Sequence, residues 1–255
     1  MAGADLERAK AYVREHGDAL ALGRLETLLG GEPNPAAIAA LAEGQNEDGG
    51  WPATWSGEAS SLDATCYRLD HAVDLADAVA GPVGRALDFL AARRGDDGFW
   101  EEDAALREVA PPWAKPGDDA AALYITSSCA FWLAQNGRPE ADRAAGAIAV
   151  WITPDGTLPT FIPGAWLAAG ALALLDRDLH ARLVLQALEP RTPELDEAAL
   201  AWLATALAAA GLSVEPVAST ARKRLGELQQ GNGSWAGDPA TTVTALRALL
   251  HETST

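Results

Sequence analysis

Sulfur is nearly absent from this chain of 255 residues, which holds two cysteines, Cys66 and Cys129, and one methionine. Two thiols in separate apolar segments exclude a disulfide framework and predict free, buried cysteines in a reduced, cytoplasmic setting. Histidine is scarce too: His16, His71, His180 and His251 lie far apart, without H-x-x-x-H or C-x-x-C spacing. No metal site is readable from such a pattern, and no cofactor is implied. Basic residues are few, 19 Lys and Arg against 36 Asp and Glu, for a formal charge of -17. A field of that sign repels nucleic acid and anionic lipid surfaces. The short cluster Arg222, Lys223 and Arg224 reads as the solvated face of a helix. The longest apolar runs, near 165–175 and 198–212, are too short or too interrupted to span a bilayer, and residues 1–8 carry no signal-peptide core.

Period-two alternation is also missing, and β-branched runs are short. What remains, rich in Ala and Leu, predicts an all-α protein. Helical segments come in pairs: 5–15 with 18–29, 35–43 with 61–78, 82–93 with 118–135, 139–150 with 164–175, 179–188 with 195–210, and 217–228 with 239–251. Asn34 before Pro35 is a cap with proline in the first turn. The second helices are the more apolar. The segment Ala165–Leu172 has no charge at all, and a helix apolar all round is buried all round. An open helical solenoid needs polar ends, whereas the last helix here is as apolar as the middle ones. The expectation is a closed (α/α)6 toroid, one domain over 1–255, whose first and last pairs cover each other.

A heptad recurs between these helices. Gln45–Trp51 reads Q-x-x-D-G-x-W, and Gln229–Trp235 repeats it with Asn for Asp. Arg94–Trp100 is a partial copy and Trp151–Thr157 a faint one. Asx-Gly makes a sharp turn, because glycine takes positive φ freely and Asx side chains bond nearby backbone. The Gln can satisfy loose groups at a helix end and the Trp can cover a seam between repeats.

Six helix pairs with Gln/Trp heptads resemble the squalene cyclase and protein prenyltransferase β-subunit superfamily, in particular the single β-type domain of class II terpene cyclases. The resemblance implies the toroidal fold and one of two chemistries. Zinc-dependent prenyl transfer uses Asp and Cys one residue apart, with a His. Here Cys129 has Ser127 where the Asp would stand, which argues against it. Class II cyclases use an acidic D-x-D-D-T-A-x-x-L segment at a helix start, whose middle Asp protonates an alkene or epoxide. Ser61–Leu69 keeps the middle Asp (Asp63), Thr65 and Leu69 but has Ser61 and Ala64 for the flanking acids. Pro116–Leu123 keeps Asp118 and Asp119 but lacks the Thr. Asp63, Asp118 and Asp119 are therefore the candidate acids. The competing reading is helix capping, because Asp196 and Asp238 also stand at helix starts.

A carbocation needs aromatic faces. Tyr67, Trp113, Tyr124, Trp132, Trp166 and Trp202 are the candidate lining, with ordinary core packing as the alternative. The long loop 101–117 carries Trp113 and leads into Asp118, as a lid would. The chain reads as a terpene-cyclase-like protein acting on a small isoprenoid or other apolar substrate. The alternative is a non-catalytic toroid that binds an apolar ligand, a partner protein or a second copy of itself. A carbohydrate-active (α/α)6 enzyme is disfavoured by the heptads and the small size.

Overall fold

Aspartate and asparagine start most of the helices. Asp5, Asp18 and Asn34 accept from the amides of Arg8, Ala21 and Ala36, opening α1 (Leu6–His16), α2 (Ala19–Leu28) and α3 (Pro35–Ala42). The computed structural model describes residues 4–250. Among these it has twelve α-helices in the six predicted pairs and one two-stranded hairpin. The all-α class is as the sequence predicts. His251, at the predicted end of the last helix, lies outside the described residues.

The chain divides into two compact units. One holds residues 4–43, the 3-10 turn Val73–Val79 and residues 189–250. It contains α1, α2 and α3, then α10 (Glu197–Ala209), α11 (Pro216–Leu228) and α12 (Pro239–Leu250). Here the first and last helices meet. α12 packs on α1, α2 and α10, and Tyr12 donates its hydroxyl to the Gly237 carbonyl at 2.7 Å. Below this seam Arg24, wholly buried, donates Nε to Asp74 at 2.7 Å and Nη2 to Thr244 at 3.0 Å. Arg247 reaches the same Asp74 oxygen at 3.3 Å.

That carboxylate explains a departure from expectation. The predicted helix 61–78 stops at Ala72, and Val73–Val79 tightens into a 3-10 turn on which Asp74 is drawn into the buried arginine pair.

The other unit holds α4 (Leu62–Ala72), α5 (Ala80–Ala92), α6 (Asp119–Gln135), α7 (Asp142–Ala149), α8 (Ile162–Leu174) and α9 (Asp178–Leu188). The hairpin pairs β1 (Trp51–Pro52) with β2 (Ser60–Ser61), Trp51 opposite Ser61. α6 is buried all round from Leu123 to Leu133, and α8 from Trp166 to Leu172, as unbroken apolar runs require. α4 differs, because its Leu62, Thr65, Cys66 and Leu69 are buried while Tyr67 is exposed.

The four heptads share one turn. Asn46, Gly95, Thr153 and Gln230 each donate their amide to the carbonyl four residues on, and each accepts from a glycine three residues on. Those glycines, Gly49, Gly98, Gly156 and Gly233, have φ between +86° and +94°. Each lies against backbone of a helix: Arg85 of α5, Arg143 of α7, Leu183 of α9 and Arg8 of α1. The register of the faint copy is therefore Ile152–Leu158, one residue later than the sequence suggests. Leu158 takes the Trp position and is buried likewise.

The heptad side chains close the joint. Gln45 donates Nε2 to the Gly49 and Pro82 carbonyls, and Gln229 does the same to Gly233 and Asp5. Trp51, Trp100 and Trp235 donate their amides to Thr65, Thr126 and Thr242. Trp100 and Trp235 also donate Nε1 to Leu90 and Leu225, ten residues back.

Gly49→Ala should destabilise the protein by about 1–3 kcal/mol or more. The new methyl combines backbone strain at φ +91° with a position 2.3 Å from the Arg85 carbonyl oxygen. Gly44→Ala, at φ +73° with nothing within 4 Å, incurs the strain alone. Urea unfolding of the two variants should rank them in that order.

Candidate active site

Helix α4 begins beside the hairpin, where Ser61 accepts from the Ala64 amide and its carbonyl accepts from Thr65 Oγ1. A buried acid from the loop completes this end. Glu102, 4% exposed, accepts from Ser61 Oγ at 2.7 Å, the Leu62 amide at 3.1 Å and the Asp63 amide at 2.9 Å. Because Glu102 serves the free amides, the Asp63 side chain is not needed for capping and turns to other partners. Tyr124 donates its hydroxyl to Asp63 Oδ1 at 2.8 Å, and Trp113 donates Nε1 to Oδ2 at 3.1 Å. Three segments thus converge on one carboxyl: the first turn of α4, the first third of α6 and the loop 101–117.

Burial dominates the electrostatics. It raises Asp63 above the ordinary carboxylate range, against the pull of the Tyr124 and Trp113 donors. Burial also raises Glu102, against the Asp63 amide, the Ser61 hydroxyl and the Leu62 amide, and the Asp63 charge adds to the rise. Tyr124 is pushed well up by burial and by the Asp63 charge, so it remains a neutral donor. The thiols lie close by, with Cys66 Sγ 4.0 Å from Cys129 Sγ. Both are free and buried, as the sequence predicts, and burial, then Cys66, raise Cys129.

The chemical consequence is a carboxylic acid that retains its proton to higher pH than a free aspartate. The two hydrogen bonds that it accepts also stabilise the carboxylate left when the proton departs. Both properties suit a proton donor.

The other expected residues fall into three groups. Asp118 is exposed and caps its own helix, accepting from the Ala121 amide at 2.9 Å. Asp196 and Asp238 cap likewise, on Ala199 and Thr241. Asp119 is the exposed first residue of α6. Tyr67 stands one turn beyond Asp63 on α4, 59% exposed, with its ring 4.5 Å from His71. Trp132, two turns past Tyr124 on α6, is packed edge-on to Phe131. Trp166 is wholly enclosed on α8. Both Trp132 and Trp166 are buried. Trp202 is half-buried on α10, in the other unit.

Sequence reasoning missed Glu102. Its only signal was position, two residues past a buried Trp at the head of the longest loop, where paired acids read as solvated. Among the described residues, no group of three or more His, Cys, Asp or Glu is placed to hold a metal ion. Nor is any helix there long and apolar enough to cross a membrane.

No family model matches the sequence, and no curated protein matches it. Solved structures do match in fold. A protein from Actinoplanes superposes with TM-score 0.65 at 17% identity, covering 98% of each chain. The type II terpene cyclase MstE from Scytonema superposes with TM-score 0.62 at 16% identity, covering 96% of both chains. Its forms include complexes with a substrate, geranylgeranyl dihydroxybenzoate, and a product, merosterolic acid A. Along nearly its whole length, the chain shares the fold of a type II terpene cyclase.

Proposed function

We propose that the chain is a terpene-cyclase-like enzyme in which Asp63 protonates an isoprenoid or other apolar substrate. One observation carries the reading. Asp63 is the helix-start aspartate whose carboxyl serves no helix end and is instead held, desolvated, by Tyr124 and Trp113. The shared fold supports it, and so does the ligand of MstE, a geranylgeranyl compound. In the proposed reaction the Asp63 O–H bond breaks and its proton forms a C–H bond at a terminal alkene carbon or opens an epoxide. The neighbouring π bonds then close rings, and loss of a proton from the final cation leaves a cyclic isomer of unchanged mass. Tyr67, exposed on the Asp63 face of α4, is the aromatic placed to meet cationic character.

Incubation with geranylgeranyl-bearing compounds tests the proposal, with product read as an isomer of unchanged mass and altered retention. Turnover needs the protonated acid. The rate should therefore be full at low pH and fall as pH rises through the raised Asp63 pKa. A rate that is flat or rises through that range removes Asp63 from the role.

The incomplete acidic segment, with Ser61 and Ala64 at the flanking positions, favours a second reading in which the fold binds an apolar ligand without turning it over. Bound but unconverted geranylgeranyl compound would select that reading.

A further inference from the structure

We propose that Glu102 is the carboxylate that keeps the reactive proton on Asp63, acting from the loop as a positioning residue. The inference rests on Asp63 being the acid, and it concerns the proton, not the reaction.

The geometry separates the duties of the two acids. Glu102 collects three donors, two of them main-chain amides at the start of α4 and the third the Ser61 hydroxyl. Amides at a helix N-terminus favour the ionised form of a carboxylate. Asp63 is bound to this carboxyl through its own amide, and the charge on Asp63 raises Glu102, a repulsion that by its nature acts in both directions. The Asp63 carboxyl receives two neutral side-chain donors, Trp113 and Tyr124. Of two carboxyls so close, one ionises first and repels the charge of the second. The donor set identifies Glu102 as the anion and Asp63 as the proton carrier. The other titratable groups that face the pair are Tyr124 and Cys129 on α6 and Cys66 on α4. Burial holds Tyr124 and Cys129 neutral where carboxyls titrate, and neither side chain can supply a positive charge.

The loop thereby does two things at once. Glu102 at its head holds the proton on, and Trp113 near its end supports the carboxylate once the proton is gone. Ser61, which stands where the resembled motif has an acid, becomes a donor to Glu102. The missing charge is supplied from a different segment.

The test follows the Asp63 carboxyl by carbon NMR in the full chain labelled at aspartate, with no substrate present. Glu102→Gln keeps the shape and Oε1 as acceptor for Ser61 and Asp63 but removes the charge. Asp63 should then titrate at lower pH than in the parent. If Glu102 serves only as a cap, the variant melts earlier while the Asp63 titration stays in place, and the proposal fails. Should Glu102→Gln not fold, Asp63→Asn reads the order of ionisation from the other side. With glutamate labelled, Glu102 should titrate where it does in the parent, because Asp63 is still uncharged when Glu102 ionises, and a Glu102 moved to lower pH would show that Asp63 ionises first and overturn the proposal. A shifted titration in a protein that converts no polyprenyl compound would leave the proposal standing and remove the cyclase reading.

Discussion

Asp63→Asn should lose cyclisation by roughly 10²–10⁴-fold in rate, the span associated with a positioned general acid, while its fold survives. Asparagine fills the same volume and its carbonyl still accepts from Tyr124, but it carries no transferable proton. The stability sign separates this loss from simple damage. A carboxyl whose folded pKa lies above its unfolded value stabilises the fold at low pH, and that contribution is lost as pH rises through the folded value. Asp63 is raised in this way, so above that range its ionised form burdens the folded state. There Asp63→Asn should melt no earlier than the parent. Asp118→Ala is the matched contrast. It removes the cap on the Ala121 amide, costs about 0.5–2 kcal/mol and should leave turnover in place. Activity lost on Asp118→Ala but kept on Asp63→Asn would exchange the roles assigned to the two residues. Thermal melts beside product assays decide it.

The largest stability effect is expected at Asp74. Asp74→Ala leaves the wholly buried Arg24 with the Thr244 hydroxyl in place of a carboxylate at 2.7 Å, and it takes the same oxygen from Arg247. Removing one partner from a buried ion cluster costs about 3–5 kcal/mol, because the remaining charge stays desolvated. Domains are stable by only about 5–15 kcal/mol in total, so much of the margin disappears. The loss should show as a lower urea midpoint. A change within about 1 kcal/mol would mean that the arginines find compensation when Asp74 is gone. The carboxylate joins α2, the turn Val73–Val79 and α12, so the effect should appear as global unfolding and not as fraying of one helix.

The helix pairs and the main joints were legible in the sequence because glycine, Asx, Gln and Trp are each required by one turn geometry. Where those residues fade, legibility fades with them. At 152–158 only Asp155 and Gly156 survive in place, without the flanking Gln and Trp, so the register slipped by one. The end of α4 at Ala72 was not legible, because it depends on Asp74 meeting Arg24 from a segment fifty residues away. Asp63, Tyr124 and Trp113 could be named in advance, since an acid at a helix start and aromatics near it leave local patterns. Their convergence, and the part played by Glu102, come from tertiary packing and leave none. Trp132 and Trp166 show the converse limit: an apolar helix position looks the same in sequence whether it faces a cavity or a neighbouring helix.

The joint between α1 and the final heptad also sets an order of events during synthesis. Asp5 pairs its amide with Gln229 at 2.6 Å and Arg8 reaches the Gly231 carbonyl at 3.0 Å, contacts separated by 224 and 223 residues. Each of the other three heptads docks on a helix that follows it in the chain, and that joint can close while the ribosome is still adding residues. The last heptad docks instead on α1, which precedes it in the chain. Until the last heptad and α12 emerge, α1 has α2 beside it but lacks the rest of its packing. Such distant contacts form late, after the entropy of closing a long loop has been met. α1 is therefore among the last of these helices to be secured, and it stays open to aggregation and proteolysis while the rest of the ring of contacts is being made.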